Sequence, residues 1–316
     1  MSTSYTSQNA PSGIDRILVA VDLSPASLRA AEFVRNIARA TAHIRLVSVA
    51  DNPRALSPMP PKASAELYAA RAELLRDAAD ALVQAKHVFA GCDFRLEEDV
   101  VDLSKHGGDI ATALIDAADD WHADLLVVGA RQHHGLLRWV EGTVSKPLAT
   151  HSRCSLLIVP PSHEEKLARP PQRVLIAIDG SAPSFEALRY GMRFAKPEVN
   201  MRAVYVVDRA VRLTDFVPIH VLEDAFVEEG KAALATAAEV FAGSSCHCDT
   251  ALISTKQTGD DIAHAIVREA SHWNADLLVM GTHGRRGVAR WLLGSVAGRV
   301  AHITQTPLLL VHAQDS

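Results

Sequence analysis

The sequence predicts an α/β fold built twice: two tandem, open, parallel five-stranded sheets, each flanked by helices. The first observation behind this is an internal repeat. Arg16-Ile-Leu-Val-Ala-Val-Asp22 matches Arg173-Val-Leu-Ile-Ala-Ile-Asp179, and Trp121-His-Ala-Asp-Leu-Leu-Val-Val-Gly129 matches Trp273-Asn-Ala-Asp-Leu-Leu-Val-Met-Gly281. Gly135-Leu-Leu-Arg-Trp-Val-Glu-Gly-Thr143 likewise matches Gly287-Val-Ala-Arg-Trp-Leu-Leu-Gly-Ser295. A repeat this long is a duplicated domain, not a solenoid unit. The second observation is the alternation, within each copy, of short continuous apolar runs with helical patterns. Unbroken apolar runs mark strands buried on both faces, as parallel sheets require. The third is length, since 316 residues suit two domains.

Taken in order, Ile17 to Val21 is the first strand. Ser24-Pro25 opens a helix to about Ala42, serine being a preferred cap and proline suiting the first turn. Ile44 to Val49 is the second strand, and a proline-rich loop, Asn52 to Pro61, leads to a long alanine-rich helix ending near Gly91. Phe94 to Val101 is a third strand, Asp109 to Trp121 a helix, Leu125 to Val128 a fourth strand, Val144 to His151 a helix, and Leu156 to Val159 a fifth strand. The second half repeats the plan and ends on Pro307 to Val311. Trp121 and Trp273 are expected to pack between helix and sheet.

The expected layout is a disordered polar tail (residues 1–13), a first domain (14–160), a charged linker bounded by Pro160-Pro161 and Pro170-Pro171 (161–171), and a second domain (172–316). The net charge of −5 gives no basic footprint for nucleic acid, and no run of 18 apolar residues predicts a membrane span. The tail lacks the apolar core of a signal peptide, and Cys92, Cys154, Cys246 and Cys248 form no disulfide framework, so a reducing cytoplasm is the expected compartment.

The chemistry concentrates in Gly281-Thr282-His283-Gly284, followed by Gly294-Ser295. Strand, glycine loop and helix start succeed one another there. Glycines allow close backbone approach, and free N–H groups at a helix N-terminus attract anions. No Walker-type loop and no Gly-x-Gly-x-x-Gly after the first strand of either half is present. The spacing of glycine, two residues, glycine, nine residues, Gly-Ser resembles the nucleotide-binding signature of the universal stress protein family, in its ATP-binding branch. Both halves resemble that family's domains. The resemblance implies a Rossmann-like sheet of the adenine nucleotide alpha-hydrolase type, a stress-response role, and ATP as ligand, with Mg²⁺ carried mainly by phosphates and water. It also implies adenine contacts from the backbone of Ala177 and Val206, with Ile178 and Asp179 facing the adenosine part. Gly281, Gly284, Gly294, Ser295 and Val296 would wrap ribose and phosphates.

Local alternatives stand beside these roles. Asp179 suits a turn cap through Ser181, and Ser295 suits a helix N-terminal N–H. Arg285 and Arg286 offer guanidinium forks to phosphate or point into water. Arg290 and Trp291 recur as Arg138 and Trp139, which favours a shared structural role.

The first half keeps Asp22, Val49, Gly129, Gly142 and Thr143 in register but has Gln132 in place of the second glycine. His133 and His134 replace the arginine pair, and Glu141 brings a negative charge to the helix start. All three changes oppose phosphate binding, so the first half is expected to bind ATP ten- to hundredfold more weakly, at about 1.4 kcal/mol per decade. Cys246-His247-Cys248 lacks the second ligand pair of a structural zinc site, and no metal is expected there. No residue can be read as a nucleophile paired with a base. The expectation is therefore a nucleotide-binding regulatory protein without catalytic residues, at most a weak ATPase. The alternative is an interaction scaffold with no working nucleotide site. Domains of the family commonly pair through their last strands, so the resemblance together with the duplication implies an intrachain pseudo-dimer joining Leu156–Val159 to Leu308–Val311, and leaves a homodimer open.

Overall fold

The computed structural model describes residues 14–56, 64–130, 144–161, 169–209, 219–256, 260–284 and 293–312. The tail, the core of the linker, and both segments carrying Gln132, His133, His134, Arg138, Trp139, Glu141, Gly142 and Thr143 or Arg285, Arg286, Arg290 and Trp291 lie outside them.

The first half runs β1 (Arg16–Ala20), α1 (Pro25–Ile37), β2 (His43–Ala50), α2 (Pro53–Leu56), α3 (Ser64–Val88), β3 (Arg95–Asp102), α4 (Leu103–His106), α5 (Ile110–Asp120), β4 (Leu125–Gly129), α6 (Ser145–His151) and β5 (Ser155–Val159). The second runs β6 (Arg173–Ile178), α7 (Ala182–Gly191), β7 (Asn200–Val207), α8 (Ile219–Phe241), β8 (His247–Ser254), α9 (Ile262–His272), β9 (Leu277–Gly281), α10 (Ser295–Ile303) and β10 (Leu308–Val311). A short 3-10 turn, Met192–Phe194, follows α7.

The two parallel five-stranded sheets join into one ten-stranded sheet of order β3-β2-β1-β4-β5-β10-β9-β6-β7-β8. The join is antiparallel, pairing Leu308 with Ile158, Leu309 with Leu157 and Leu310 with Leu156. This is the pseudo-twofold pairing expected from the duplication. Because the halves run in opposite directions, their strand C-termini open on opposite edges of the sheet.

Side-chain alternation along each strand builds two cores. Ile17, Val19, Leu157, Val279 and Leu309 pack on the face covered by α1, α3, α7 and α8. Leu18, Leu126, Leu156, Leu308 and Leu310 pack on the opposite face, with α5, α6, α9 and α10. Both faces of the inner strands are therefore buried, which is why their sequences read as unbroken apolar runs. The outer strands β3 and β8 carry charges instead. The His43–Glu97 contact of 2.8 Å and the forked Arg202–Asp249 bonds of 2.7 and 2.6 Å lie there, and charged edges discourage pairing with another chain.

Helix α1 ends at Ile37, short of Ala42. Its C-cap Ala38 turns extended, at φ −67° and ψ 145°. Ala38, Arg39 and Ala40 are good helix formers, so no stop signal is written there; the chain leaves the helix to reach β2. Helix α4 was not foreseen. Asp102 caps it by accepting from Ser104 N at 3.0 Å, and the Arg71 guanidinium holds the Asp102 carboxyl below the usual carboxylate range.

The repeated Trp-x-Ala-Asp segment is a helix-to-strand connector. Trp121 and Trp273 are the C-caps of α5 and α9, and the next residues, His122 and Asn274, take left-handed φ of 53° and 54°. Trp121 is buried, with the Arg16 guanidinium 4.6 Å above its ring and His43 edge-on at 4.9 Å. Arg202 covers the Trp273 ring at 5.0 Å.

Candidate functional site

In each half the strand order reverses between the first and fourth strands, at β1/β4 and at β6/β9. In open α/β sheets the crevice outside the strand ends at such a reversal is the binding position. Asp22 and Gly129 lie at the first reversal, Asp179 and Gly281 at the second.

Each aspartate is first of all a turn residue. Asp179 Oδ1 accepts from Ser181 N at 3.0 Å and from Ser181 Oγ at 2.5 Å. Ser181 in turn caps α7, and Ser184 Oγ donates to the Ser181 carbonyl at 2.8 Å. Asp22, Ser24 and Ser27 repeat the arrangement before α1. The turn-cap role of Asp179 is thus real and is made through Oδ1. The other oxygen, Oδ2, faces Gly284 so closely that a Cβ there would collide with it.

That contact explains the second glycine of the loop. Gly284 does not have positive φ; close approach to Asp179 is what excludes a side chain. The first glycine answers to the scaffold. A Cβ on Gly129 would collide with the Ala26 carbonyl in the first turn of α1, and one on Gly281 would lie 3.2 Å from the equivalent Pro183 carbonyl. Gly294 packs against the Thr282 carbonyl, with its N–H bonded to it at 2.8 Å.

The helices after the two loops share a further property. Among α-helices with described N-caps, α1, α4, α5, α7 and α9 carry a side-chain cap from Ser24, Asp102, Asp109, Ser181 and Asp261. Helices α6 and α10, capped by Val144 and Gly294, have none. No cap side chain takes up their first N–H groups, and N–H groups at a helix start suit water or an anion.

The sequence-derived residues of the second half converge on this edge. Ala177 and Ile178 end β6 and are buried, and Val206 is half-buried on the adjacent β7. Gly281 and Gly284 stand at the end of β9; Gly294, Ser295 and Val296 begin α10, with Ser295 exposed. Arg285 lies outside the described residues. In the first half, Asp22, Val49 and Gly129 line one cavity of about 280 Å³ together with Ala20, Val21, Ile110, Val144 and Ser145. Ala20, Val21, Asp22 and Val49 are the repeat counterparts of Ala177, Ile178, Asp179 and Val206. Ile110, Ser145 and Ser27 also line the cavity without any sequence signal that singled them out, and Ser24, expected as a helix cap, lines it too; the Asp-x-Ser-x-x-Ser pattern of Asp22, Ser24 and Ser27 is written in both halves. Among the described residues, no group of three or more His, Cys, Asp or Glu side chains is placed to hold a metal ion, and no helix is long and apolar enough to cross a membrane.

The Universal stress protein family matches residues 13–160 and again residues 171–312. The chain belongs to the universal stress protein family. A universal stress protein of Mycolicibacterium smegmatis is 30% identical over 241 residues, covering 74% of this chain and 76% of the relative. One of Methanocaldococcus jannaschii is 32% identical over 147 residues, 44% of this chain and 81% of the relative. A crystal structure of a universal stress protein from Archaeoglobus fulgidus shares the fold, with a TM-score of 0.65 at 16% identity over 96% of this chain and 98% of that one.

One titratable group of this universal stress protein lies beside the loop of the second half. His312 follows β10, and burial, with His283 nearby, pushes its imidazole down to about 4. Its Nε2 is buried without a hydrogen-bond partner. The unfolded chain takes up this proton near pH 6.5, the folded chain only near 4. Between those values the unfolded state holds more protons, so stability is lost as pH falls from about 6.5 to 4, by on the order of 3 kcal/mol. Urea midpoints at both ends of that window, for wild type and His312→Leu, isolate the effect from the carboxylates common to both proteins. The variant is expected to have the shallower pH dependence, and identical slopes would rule this assignment out.

Proposed function

We propose that this universal stress protein binds ATP, with Mg²⁺, in its C-terminal half and acts in the cytoplasm as a nucleotide-dependent regulator of a stress response. The observation that carries this reading is the uncapped N-terminus of α10, which opens on a glycine loop beside Asp179. Backbone N–H groups at that helix start suit phosphate oxygens, and the loop glycine against Asp179 keeps side chains out of the crevice. Apolar Ala177, Ile178 and Val206 suit a flat purine, while Asp179 Oδ2 suits ribose hydroxyls. The magnesium ion would ride on the phosphates and water. Without a positioned base, turnover is at most slow.

A second reading concerns the first half. Its cavity of about 280 Å³, lined mainly by apolar residues and Asp22, favours a nucleoside-sized ligand at the low end of small-molecule pockets. Gln132 and Glu141 oppose a phosphate chain, so this half would hold the nucleoside part and grip phosphate poorly.

Nucleotide released from freshly purified, denatured protein and resolved by anion exchange tests both readings. About one ATP per chain supports a single strong site. About two would show that Gln132 is tolerated. None, followed by silence in a Mg-ATP titration, would refute nucleotide binding and favour the scaffold.

A further inference from the structure

Cys246 and Cys248 lie at the start of β8, the outermost strand of the second half, and take no part in the site above. Residues two apart on a strand leave the chain on the same face. Here both side chains turn toward the core under α8, where they are half-buried. Their sulfur atoms stand 2.8 Å apart. Ser244 Oγ lies 3.2 Å from Cys246 Sγ and 3.3 Å from Cys248 Sγ, and donates its own hydrogen to the Phe241 carbonyl at 2.7 Å. The serine therefore acts as an acceptor that draws both thiols to one point.

We propose that Cys246 and Cys248 form a dithiol that hydroperoxides oxidise to an intrachain disulfide. The geometry allows closure. Along a strand the two Cα atoms are roughly 6.6 Å apart, at the upper end of the span of about 4.4–6.8 Å that a disulfide bridges. Cys248 is fixed in the ladder opposite Met201, but Cys246 precedes the first paired residue, His247, and can bend inward without breaking a strand pair.

The chemistry balances with hydrogen peroxide as the oxidant. Burial, with Cys246 beside it, pushes the Cys248 thiol up to about 11, so it stays protonated at neutral pH. Cys246, which precedes the strand ladder and can turn outward, is the attacking sulfur in this proposal. Its thiolate takes one peroxide oxygen as the O–O bond breaks, giving a sulfenic acid, and the other oxygen leaves with a proton as water. Cys248 attacks the sulfenic sulfur; the S–S bond forms, the S–O bond breaks, and the hydroxyl leaves with the Cys248 proton as a second water. Two thiols and one peroxide become one disulfide and two waters. A ring closed across a single residue is strained, and strained disulfides are readily reduced, so a thiol reductant reverses the step.

The pair lies at the strand N-termini, beside Asn200 and Met201, whereas Asp179 and Gly281 lie at the C-terminal ends. Oxidation should leave nucleotide affinity unchanged, and the two proposals fail independently. The test treats the full chain with hydrogen peroxide, alkylates remaining thiols, and maps peptides by mass spectrometry. The expected product is an unalkylated 246–248 peptide lighter by two hydrogen atoms, with Cys92 and Cys154 alkylated. In Cys248→Ser, dimedone should trap a sulfenic acid on Cys246. In Cys246→Ser, Cys248, held in the strand ladder, should oxidise more slowly than Cys246 does in the reciprocal variant. Full alkylation of both residues after peroxide, or linkage of either to Cys92, Cys154 or a second chain, overturns the proposal.

Discussion

Replacing Gly284 with glutamine is expected to lower the affinity of the C-terminal half for Mg-ATP at least about a hundredfold, or roughly 2.8 kcal/mol. The new Cβ would collide with Asp179 Oδ2. Asp179 cannot swing aside freely, because its Oδ1 is held by both the N–H and the hydroxyl of Ser181 at the start of α7. The loop must move instead, and it is pinned on one side. Thr282 N donates to the Val311 carbonyl at 3.1 Å, and Gly294 N to the Thr282 carbonyl at 2.8 Å. Displacing the loop therefore shifts the start of α10 and its uncapped N–H groups. The substitution copies what the first half already carries at Gln132, so the chain contains its own precedent. Equilibrium titration checks the loss, with circular dichroism to verify that the variant is folded. A folded variant with undiminished affinity would remove Gly284 from the site.

Much of the fold was legible because the repeat was. A motif that survives in both halves marks a shared constraint, and Arg16–Asp22 with Arg173–Asp179 placed the first strand and its terminal aspartate in each. The join between β5 and β10 was expected from the duplication and the resemblance, since domains of this family commonly pair through their last strands; the apolar sequences of these strands do not by themselves name a partner. The end of α1 was not legible, since nothing local in Ala38-Arg39-Ala40 stops a helix. For the glycines, sequence gave the positions and only part of the reason. Gly129 and Gly281 are shaped by contact with the next helix, and Gly284 by an aspartate distant in sequence; no local pattern reveals such contacts. Asp179 was read as either ligand group or turn cap, and the structure makes one of its oxygens a cap.

The same repeat predicts where stability is concentrated, and Asp276→Ala should cost about 2–3 kcal/mol, a large share of the 5–15 kcal/mol that holds a typical domain together. Asp276 is 2% exposed, and its Oδ2 accepts from Gln172 N at 2.9 Å and Arg173 N at 3.0 Å. Arg169 approaches Oδ1 at 3.3 Å. The carboxylate thus fastens the first residues of β6 to the turn that enters β9, across the strand pair on which the candidate site is built. Alanine leaves the Gln172 and Arg173 N–H groups without that partner, and the Arg169 guanidinium, 42% exposed, turns to water. The repeat supplies an internal control. Asp124 makes the matching bonds to Asp15 N at 3.0 Å and Arg16 N at 2.8 Å but is only half-buried. Water can replace its carboxylate more easily, so Asp124→Ala should cost roughly half as much or less. Urea unfolding of the two variants measures the difference. A cost below about 1 kcal/mol for Asp276→Ala would show that the Trp-x-Ala-Asp repeat is held by its left-handed turn and tryptophan packing, with the carboxylate incidental.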